Sequence, residues 1–154
     1  MKKGDSSMLK LKQPEEMECG LDIGYQICMT QSKLFAYAIE QNYDDNDFIK
    51  KYMKSDFCNK KMDALWSRFQ LMNAAYNMSY LLDEINPAKN NMHYDPEAIS
   101  WIGWMYRYAQ LRLEIPSRDI CKMLPLSDML VYYKMTRTED AEYFIEQIQT
   151  KFEG

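Results

Sequence analysis

The chain has one histidine, His93, and four cysteines, the residue types that most often act as general bases, nucleophiles and metal ligands. His93 stands in a polar stretch without a neighbouring Ser or Cys nucleophile pattern, so we interpret it as a surface-loop histidine. A less favoured hypothesis is that the chain is an enzyme that uses His93 or an unrecognised carboxylate site. The cysteines show no C-x-x-C pair and no short metal-ligand spacing (Cys19, Cys28, Cys58 and Cys121). The sequence therefore predicts no metal site, no cofactor and no disulfide framework.

The carboxylates offer one oxygen-rich run, Asp44-Asp45-Asn46-Asp47, which is similar to the start of a calcium-binding loop. Such a loop needs Gly at its sixth position and Glu at its twelfth. Counted from Asp44, these positions hold Ile49 and Ser55, so we interpret the run as a solvated helix cap. The five glycines form no phosphate-binding loop, and no carboxylate stands in an obviously apolar setting. We therefore predict a protein that is not an enzyme.

Arg107 lies inside the most apolar stretch of the chain, residues 98–109. Asp95 and Pro96 form a strong helix start before it, and the pattern predicts a buried central helix over about 96–114. A guanidinium in such a helix needs carboxylate or carbonyl partners. We expect a structural buried ion pair, with Asp83, Glu84 or Asp119 as the candidate acids. The alternative is that Arg107 is presented to a carboxylate of a partner protein.

The elements that would position these residues are all helical. We predict an all-α, single-domain irregular bundle of six to eight helices around the central helix, because hairpin turns and sustained alternation are absent from the sequence. Residues 1–24 are expected to form an irregular arm, and residues 25–154 the helical domain. Helical periodicity begins at Thr30, and a long helix is predicted over about 60–83 from apolar residues spaced by three and four. We also predict a helix capped by Asn46 or Asp47, between these two. Short helices capped by Ser117 and Ser127 and a last helix capped by Thr138 follow.

Composition places the chain among globular proteins, with 47% hydrophobic and 27% charged residues. Its twelve Tyr and thirteen Met suit an adaptable core or a binding surface. The net charge of −4 disfavours nucleic acid and suits a basic partner. The lysine cluster over 50–61 is interleaved with aspartates, so we interpret it as a mixed, solvated surface. Arg107 interrupts the longest apolar run, and the polar start of the chain is unlike a secretion signal, so a cytoplasmic protein without a membrane span is expected.

The segment 117–134 has the sequence pattern of a helix-turn-helix, with a short predicted helix, a tight turn and a second helix. Reading DNA bases would require Arg, Lys, Asn or Gln early in the second helix. The residues there are Ser127, Asp128, Met129 and Leu130. We therefore favour two packed helices over a DNA-binding element.

Several stretches of the chain resemble a family of small all-helical proteins from Firmicutes. They are Phe48–Phe57, Trp101–Tyr108 with its W-x-G-x-x-Y-R-Y-like pattern, Pro116–Ile120 and Tyr132–Thr136. Members of that family are typically encoded beside an ADP-ribosyltransferase-like toxin. The resemblance covers roughly residues 34–150 and implies an antitoxin, or immunity protein. The chain departs from the family at Lys134-Met135-Thr136, where members often carry an aromatic-His-Thr segment.

The resulting hypothesis is a non-enzymatic protein-interaction module that binds a cognate toxin. Exposed aromatic residues near helix ends and loops are the expected contacts, namely Tyr25, Tyr43, Tyr94, Tyr132 and Tyr133. The alternative from another class is a DNA-binding autoregulator that uses residues 117–134. Self-association is left open.

Overall fold

The computed structural model describes residues 22–153, with side chains described as far as residue 151. Within this part, the chain forms seven α-helices, one π-helical turn and one 3-10 turn, and an isolated antiparallel bridge between Tyr43 and Lys89 is its nearest approach to a strand. The predicted all-α fold is confirmed. The elements are α1 (Ile23–Glu40), α2 (Asp45–Lys54), the π-turn (Phe57–Met62), the 3-10 turn (Arg68–Leu71), α3 (Ala74–Leu81), α4 (Pro96–Leu113), α5 (Ser117–Met123), α6 (Leu126–Thr136) and α7 (Ala141–Glu153).

Helix α4 is the centre of the bundle, as the sequence predicts. Asp95 caps it by accepting a hydrogen bond from the backbone N–H of Glu97, and Pro96 occupies its first turn. Glu114 ends it in a left-handed conformation with φ 55°. Helix α1 packs closely along α4 because Gly103 has no side chain. A Cβ at Gly103 would lie 2.9 Å from Cγ of Phe35 and 3.0 Å from the carbonyl oxygen of Gln31.

Helix α1 begins at Ile23, earlier than the sequence analysis expected. The side chain of Asp22 accepts hydrogen bonds from the N–H groups of Gly24 and Tyr25, and this cap starts the helix. The expected onset of helix at Thr30 is therefore wrong, and so is the assignment of residues 23 and 24 to an irregular arm. The rest of the predicted arm, residues 1–21, lies outside the described residues.

The long helix predicted over 60–83 is also wrong. Ser67 caps the 3-10 turn in a capping box with Gln70, and Asn73 caps α3 by accepting from the N–H of Tyr76. These two polar caps divide the stretch into a π-turn, a 3-10 turn and the short α3. The apolar residues that are spaced as in one helix are therefore distributed over three separate elements.

The C-terminal helices agree with the prediction in number and order. Pro116 and Pro125, rather than Ser117 and Ser127, occupy the cap positions of α5 and α6, and α6 continues to Thr136. Helix α7 starts at Ala141, where Asp140 rather than Thr138 accepts a hydrogen bond from the N–H of Tyr143. Phe144, Ile145 and Ile148 of α7 are buried. Among residues 22–153, no helix has both the length and the apolar character that crossing a membrane requires.

Candidate functional site

The single histidine is held against a buried aspartate. The loop after α3 brings His93 to the start of α2, where Nδ1 lies 2.5 Å from Oδ1 of Asp45. The side chains are only 13% and 3% exposed. Oδ2 of Asp45 accepts a hydrogen bond from the N–H of Tyr94, and Nε2 of His93 lies 3.3 Å from Oδ1 of Asn42. His93 is therefore largely enclosed, which corrects the predicted surface-loop histidine, and Asp45 is buried with it. The interpretation of the aspartate run as a helix cap is confirmed at Asp44.

The neighbouring aspartates hold the same loop against the turn between α1 and α2. Asp44 caps α2 through the N–H of Asp47, which corrects the predicted cap at Asn46 or Asp47, and it also accepts from the side chain of Asn90. The bonds from Asn90 and from the N–H of Asp47 lower the pKa of Asp44. The N–H of Ala88 donates to Asp47 and lowers the pKa of that carboxyl group as well. The acidic run thus fixes the loop after α3 to the α1–α2 turn, and we call Asp44, Asp45 and Asp47 the aspartate clamp.

The His93–Asp45 pair faces a polar depression of about 430 Å³. A histidine oriented by a carboxylate is the arrangement of a general base. The residues that line this depression include no Ser, Cys, Lys or Arg; they are Asp44, Asp45, Asn46, Asn90, Met92, His93 and Tyr94. Since both ring nitrogens of His93 already face protein oxygens, the pair fits a role in holding the loop.

Arg107 is fully buried and fully partnered, as a structural charge should be. Nη1 donates to Oδ1 of Asp63 at 2.5 Å and to Oε1 of Gln110 at 2.9 Å. Nε and Nη2 both donate to Oε1 of Gln31. The predicted acids Asp83, Glu84 and Asp119 are wrong, because the partner is Asp63. With no exposed surface, Arg107 also cannot be presented to another protein.

Asp63 is held in turn by α5. The backbone N–H and the hydroxyl of Ser117 donate to its two carboxylate oxygens, at 2.8 and 2.6 Å. Burial alone would lower the pKa of Arg107, but the nearby Cys58 and Asp63 raise it above its ordinary value. The guanidinium therefore stays charged and ties α4 to the segment after the π-turn and to α5.

The five tyrosines predicted as contacts do not form one surface. Tyr43 and Tyr94 both lie where the loop meets the α1–α2 turn, and Tyr94 is 50% exposed. Tyr25 packs edge-on against Trp104 at the start of α1, and Tyr132 packs against Phe144 of α7. Tyr133 is only 7% exposed and contacts Trp101, so it does not fit an exposed contact.

An apolar groove that the sequence analysis missed lies beside the start of α1. Its exposed members include Leu65 and Trp66, which are 67% and 70% exposed, and it encloses about 120 Å³. We call it the Trp66 groove, and its lining residues are Ile23, Ile27, Leu65, Trp66, Ser67, Gln70 and Leu71. Trp66 lies in the stretch 60–83, where the apolar spacing predicts one long helix. The caps at Ser67 and Asn73 were the signal that could have placed it outside.

The helix-turn-helix-like segment exists as two helices, α5 and α6, joined by Leu124 and Pro125. Leu126 and Met129 at the start of α6 are buried, and Asp128 pairs with Lys151 at 3.0 Å. The first turn of α6 thus presents no Arg, Lys, Asn or Gln side chain, the types that the DNA-binding alternative requires.

Within the described residues, no group of three or more His, Cys, Asp or Glu side chains is arranged to hold a metal ion. Cys28, Cys58 and Cys121 are buried and unpaired with one another. Comparison of the chain with protein-family models, with curated proteins and with solved structures gave no match.

Proposed function

We propose that this chain is a non-enzymatic protein-binding module that neutralises a co-encoded toxin by direct contact in the cytoplasm. The observation that carries the protein-binding part is the Trp66 groove. The partner class, a toxin of ADP-ribosyltransferase-like type, rests on the resemblance of residues 34–150 to the antitoxin family. The net charge of −4 supports a basic partner, because complementary charge raises the rate of encounter.

The Trp66 groove has the character of a contact surface. Contiguous apolar residues are usually covered in a monomer, and an exposed tryptophan is the side chain that most often dominates the energy of an interface. Leu65 and Trp66 stand in the segment between the π-turn and the 3-10 turn, at the mouth of a pocket floored by Ile27. We expect an apolar side chain of the toxin to enter this pocket while Trp66 packs over it.

Tyr25, Tyr43, Tyr94 and Tyr132 remain proposed contacts, and Tyr133 is left out because it is buried. Tyr25 is the nearest of them in sequence to Ile23 of the groove. If the toxin covers the groove, we expect replacement of Tyr25 to weaken the complex more than replacement of Tyr132.

The test is co-expression of this chain with the product of its neighbouring gene, followed by tagged pull-down, size exclusion and a growth assay. We expect a stoichiometric complex and rescue of growth, both weakened by Trp66→Ser and Leu65→Ser. Met135→Ser is the matched control, because Met135 is 60% exposed on α6, outside the groove. If the chain formed no complex with the product of the neighbouring gene, the antitoxin proposal would be overturned. A complex unaffected by the groove variants would overturn the proposed surface.

The alternative of a DNA-binding autoregulator through residues 117–134 has weaker support. The two helices are present, but the start of α6 is occupied by buried apolar residues and a paired aspartate. It predicts salt-sensitive binding to the chain's own promoter.

A further inference from the structure

A second groove lies on another part of the molecule, between α2 and the connection from α5 to α6. It encloses about 220 Å³ and joins a lysine rim to an apolar floor. Lys50 and Lys54 of α2 and Lys122 of α5 form the rim, and we call it the lysine groove. The floor and sides are Asn46, Ile49, Cys121, Pro125 and Leu126.

The three rim lysines are the cations of this region that the fold leaves without partners. Lys51 pairs with Asp47 at 3.0 Å and Lys60 with Asp56 at 3.6 Å. Lys50, Lys54 and Lys122 are exposed and make no ion pair or hydrogen bond with the described residues.

Lys50 lies close enough to Asp47 to lower the pKa of that carboxyl group, although the ion pair of Asp47 is with Lys51. Two other aspartates of the interleaved set are engaged elsewhere. Asp45 faces His93, and Asp63 faces Arg107 in the core. The predicted mixed surface is present where Lys51 and Lys60 pair with aspartates, but the lining of the lysine groove holds three lysines and no carboxylate and is therefore positive. Burial has the largest effect on the pKa of Cys121 and raises it, while a hydrogen bond with Tyr106 and then the charges of Lys54 and Lys50 lower it.

We propose that the lysine groove binds an acidic segment of another protein, with one apolar side chain of that segment seated on the floor between α2 and Leu126. Three unpaired ammonium groups complement carboxylates at short range, even though the whole chain is negative, because salt screens charges beyond about 10 Å. The apolar floor favours a peptide over a phosphate backbone, which has no apolar side chain to fill it. This site lies on different elements from the Trp66 groove and does not depend on the partner being a toxin.

The proposal is tested with the full chain and a fluorescent synthetic peptide that carries four glutamates around one leucine. We expect saturable binding that weakens with salt. It should fall about tenfold when Lys50, Lys54 and Lys122 are all changed to Gln, since each exposed pair contributes modestly. Lys33→Gln, an exposed lysine on α1, is the control and should leave binding unchanged. A melting temperature equal to that of the wild-type protein would show that the triple variant is folded.

Two further probes separate the possible occupants. A peptide with alanine in place of the leucine should bind more weakly, and a single-stranded oligonucleotide of equal charge should bind less well than the original peptide. Preference for the oligonucleotide, or peptide binding unchanged in the triple variant, would overturn the proposal. The chain itself carries Glu15, Glu16 and Glu18 around Met17. If changing these glutamates to Gln raised the affinity for the peptide, the occupant would be this segment rather than another protein.

Discussion

Arg107 and Asp63 form a buried ion pair, with Nη1 of the arginine 2.5 Å from Oδ1 of the aspartate across 44 positions of the chain. Asp63 stands three residues before Trp66, in the segment that carries the exposed side of the Trp66 groove. The pair therefore links the central helix to the proposed binding surface. Because Ser117 also donates to Asp63, α5 is fixed to the same point.

Removal of Asp63 should be far more costly than removal of an exposed acid. Asp63→Ala leaves the guanidinium of Arg107 buried without its counter-charge, and we expect the free energy of unfolding to fall by about 3–5 kcal/mol. Asp128→Ala is the matched control, because it breaks a solvent-exposed pair with Lys151 and should cost less than about 1 kcal/mol. Urea unfolding followed by circular dichroism measures both. Equal losses in the two variants would contradict a structural role for the buried pair.

The helices around Arg107 could be predicted from sequence because their start and stop signals are local. Asp95 and Pro96 mark the beginning of α4, and the prolines at 116 and 125 separate α4 from α5 and α5 from α6. The partner of Arg107 could not be predicted in the same way. Its position depends on how the π-turn directs Asp63 towards α4, which is a property of tertiary packing.

The candidate surfaces were harder to predict than the fold. Trp66 shares the three-and-four spacing of a helix with Met62 and Phe69, yet those two residues are buried and Trp66 is not. The positive charge of the lysine groove depends on which aspartates pair with other groups. The alternation of Lys and Asp in the sequence predicted a surface of mixed charge instead. His93 and Asp45 are 48 positions apart, so their contact left no local signal.

Gly103 is expected to be required for the contact between α1 and α4. Gly103→Ala would gain about 1 kcal/mol of helix propensity, but its Cβ would meet the backbone oxygen of Gln31 and the ring of Phe35. Since backbone cannot move away cheaply, we expect a net loss of about 1–3 kcal/mol in unfolding free energy. Glu146→Ala on the exposed side of α7 is the control and should change it by less than about 0.5 kcal/mol. A stabilised Gly103→Ala protein would show that the two helices can separate freely.

The aspartate clamp should make stability sensitive to acid. The pKa of Asp47 is lowered in the folded chain, chiefly by the N–H of Ala88, so its contribution is present above the unfolded pKa of about 3.9 and is lost as the pH falls through the folded pKa. Asp47→Asn can still accept from Ala88 but does not titrate. We therefore expect its unfolding free energy to fall less steeply than that of the wild type between about pH 5 and 2.

The control for the clamp is Asp83→Asn, at an exposed aspartate whose carboxylate accepts no hydrogen bond from the described residues. Urea unfolding at a series of pH values compares the three proteins. The wild type and Asp83→Asn should show similar slopes. If Asp47→Asn kept the wild-type slope, the loop would not be held by the charge of Asp47.

The three described cysteines should differ in reactivity because the thiolate is the attacking form. Burial raises the pKa of all three thiols, so they differ chiefly in access, and the side chains of Cys28 and Cys58 have no exposed surface. Cys121 is 8% exposed and lies in the floor of the lysine groove. Lys50 and Lys54 line the same groove, so we expect their charges to attract an anionic reagent towards Cys121.

We expect Cys121 to be alkylated by iodoacetamide at least about tenfold faster than Cys28 or Cys58 in the native protein, as measured by mass spectrometry of the labelled peptides. Changing Lys50 and Lys54 to Gln should slow the reaction of Cys121 with a dianionic disulfide reagent more than its reaction with neutral iodoacetamide. This difference arises because the lysines attract the anion before reaction, whereas their effect on the thiol is common to both reagents. Equal slowing of the two reagents would mean that the groove does not concentrate anions, and the lysine groove would lose its electrostatic basis.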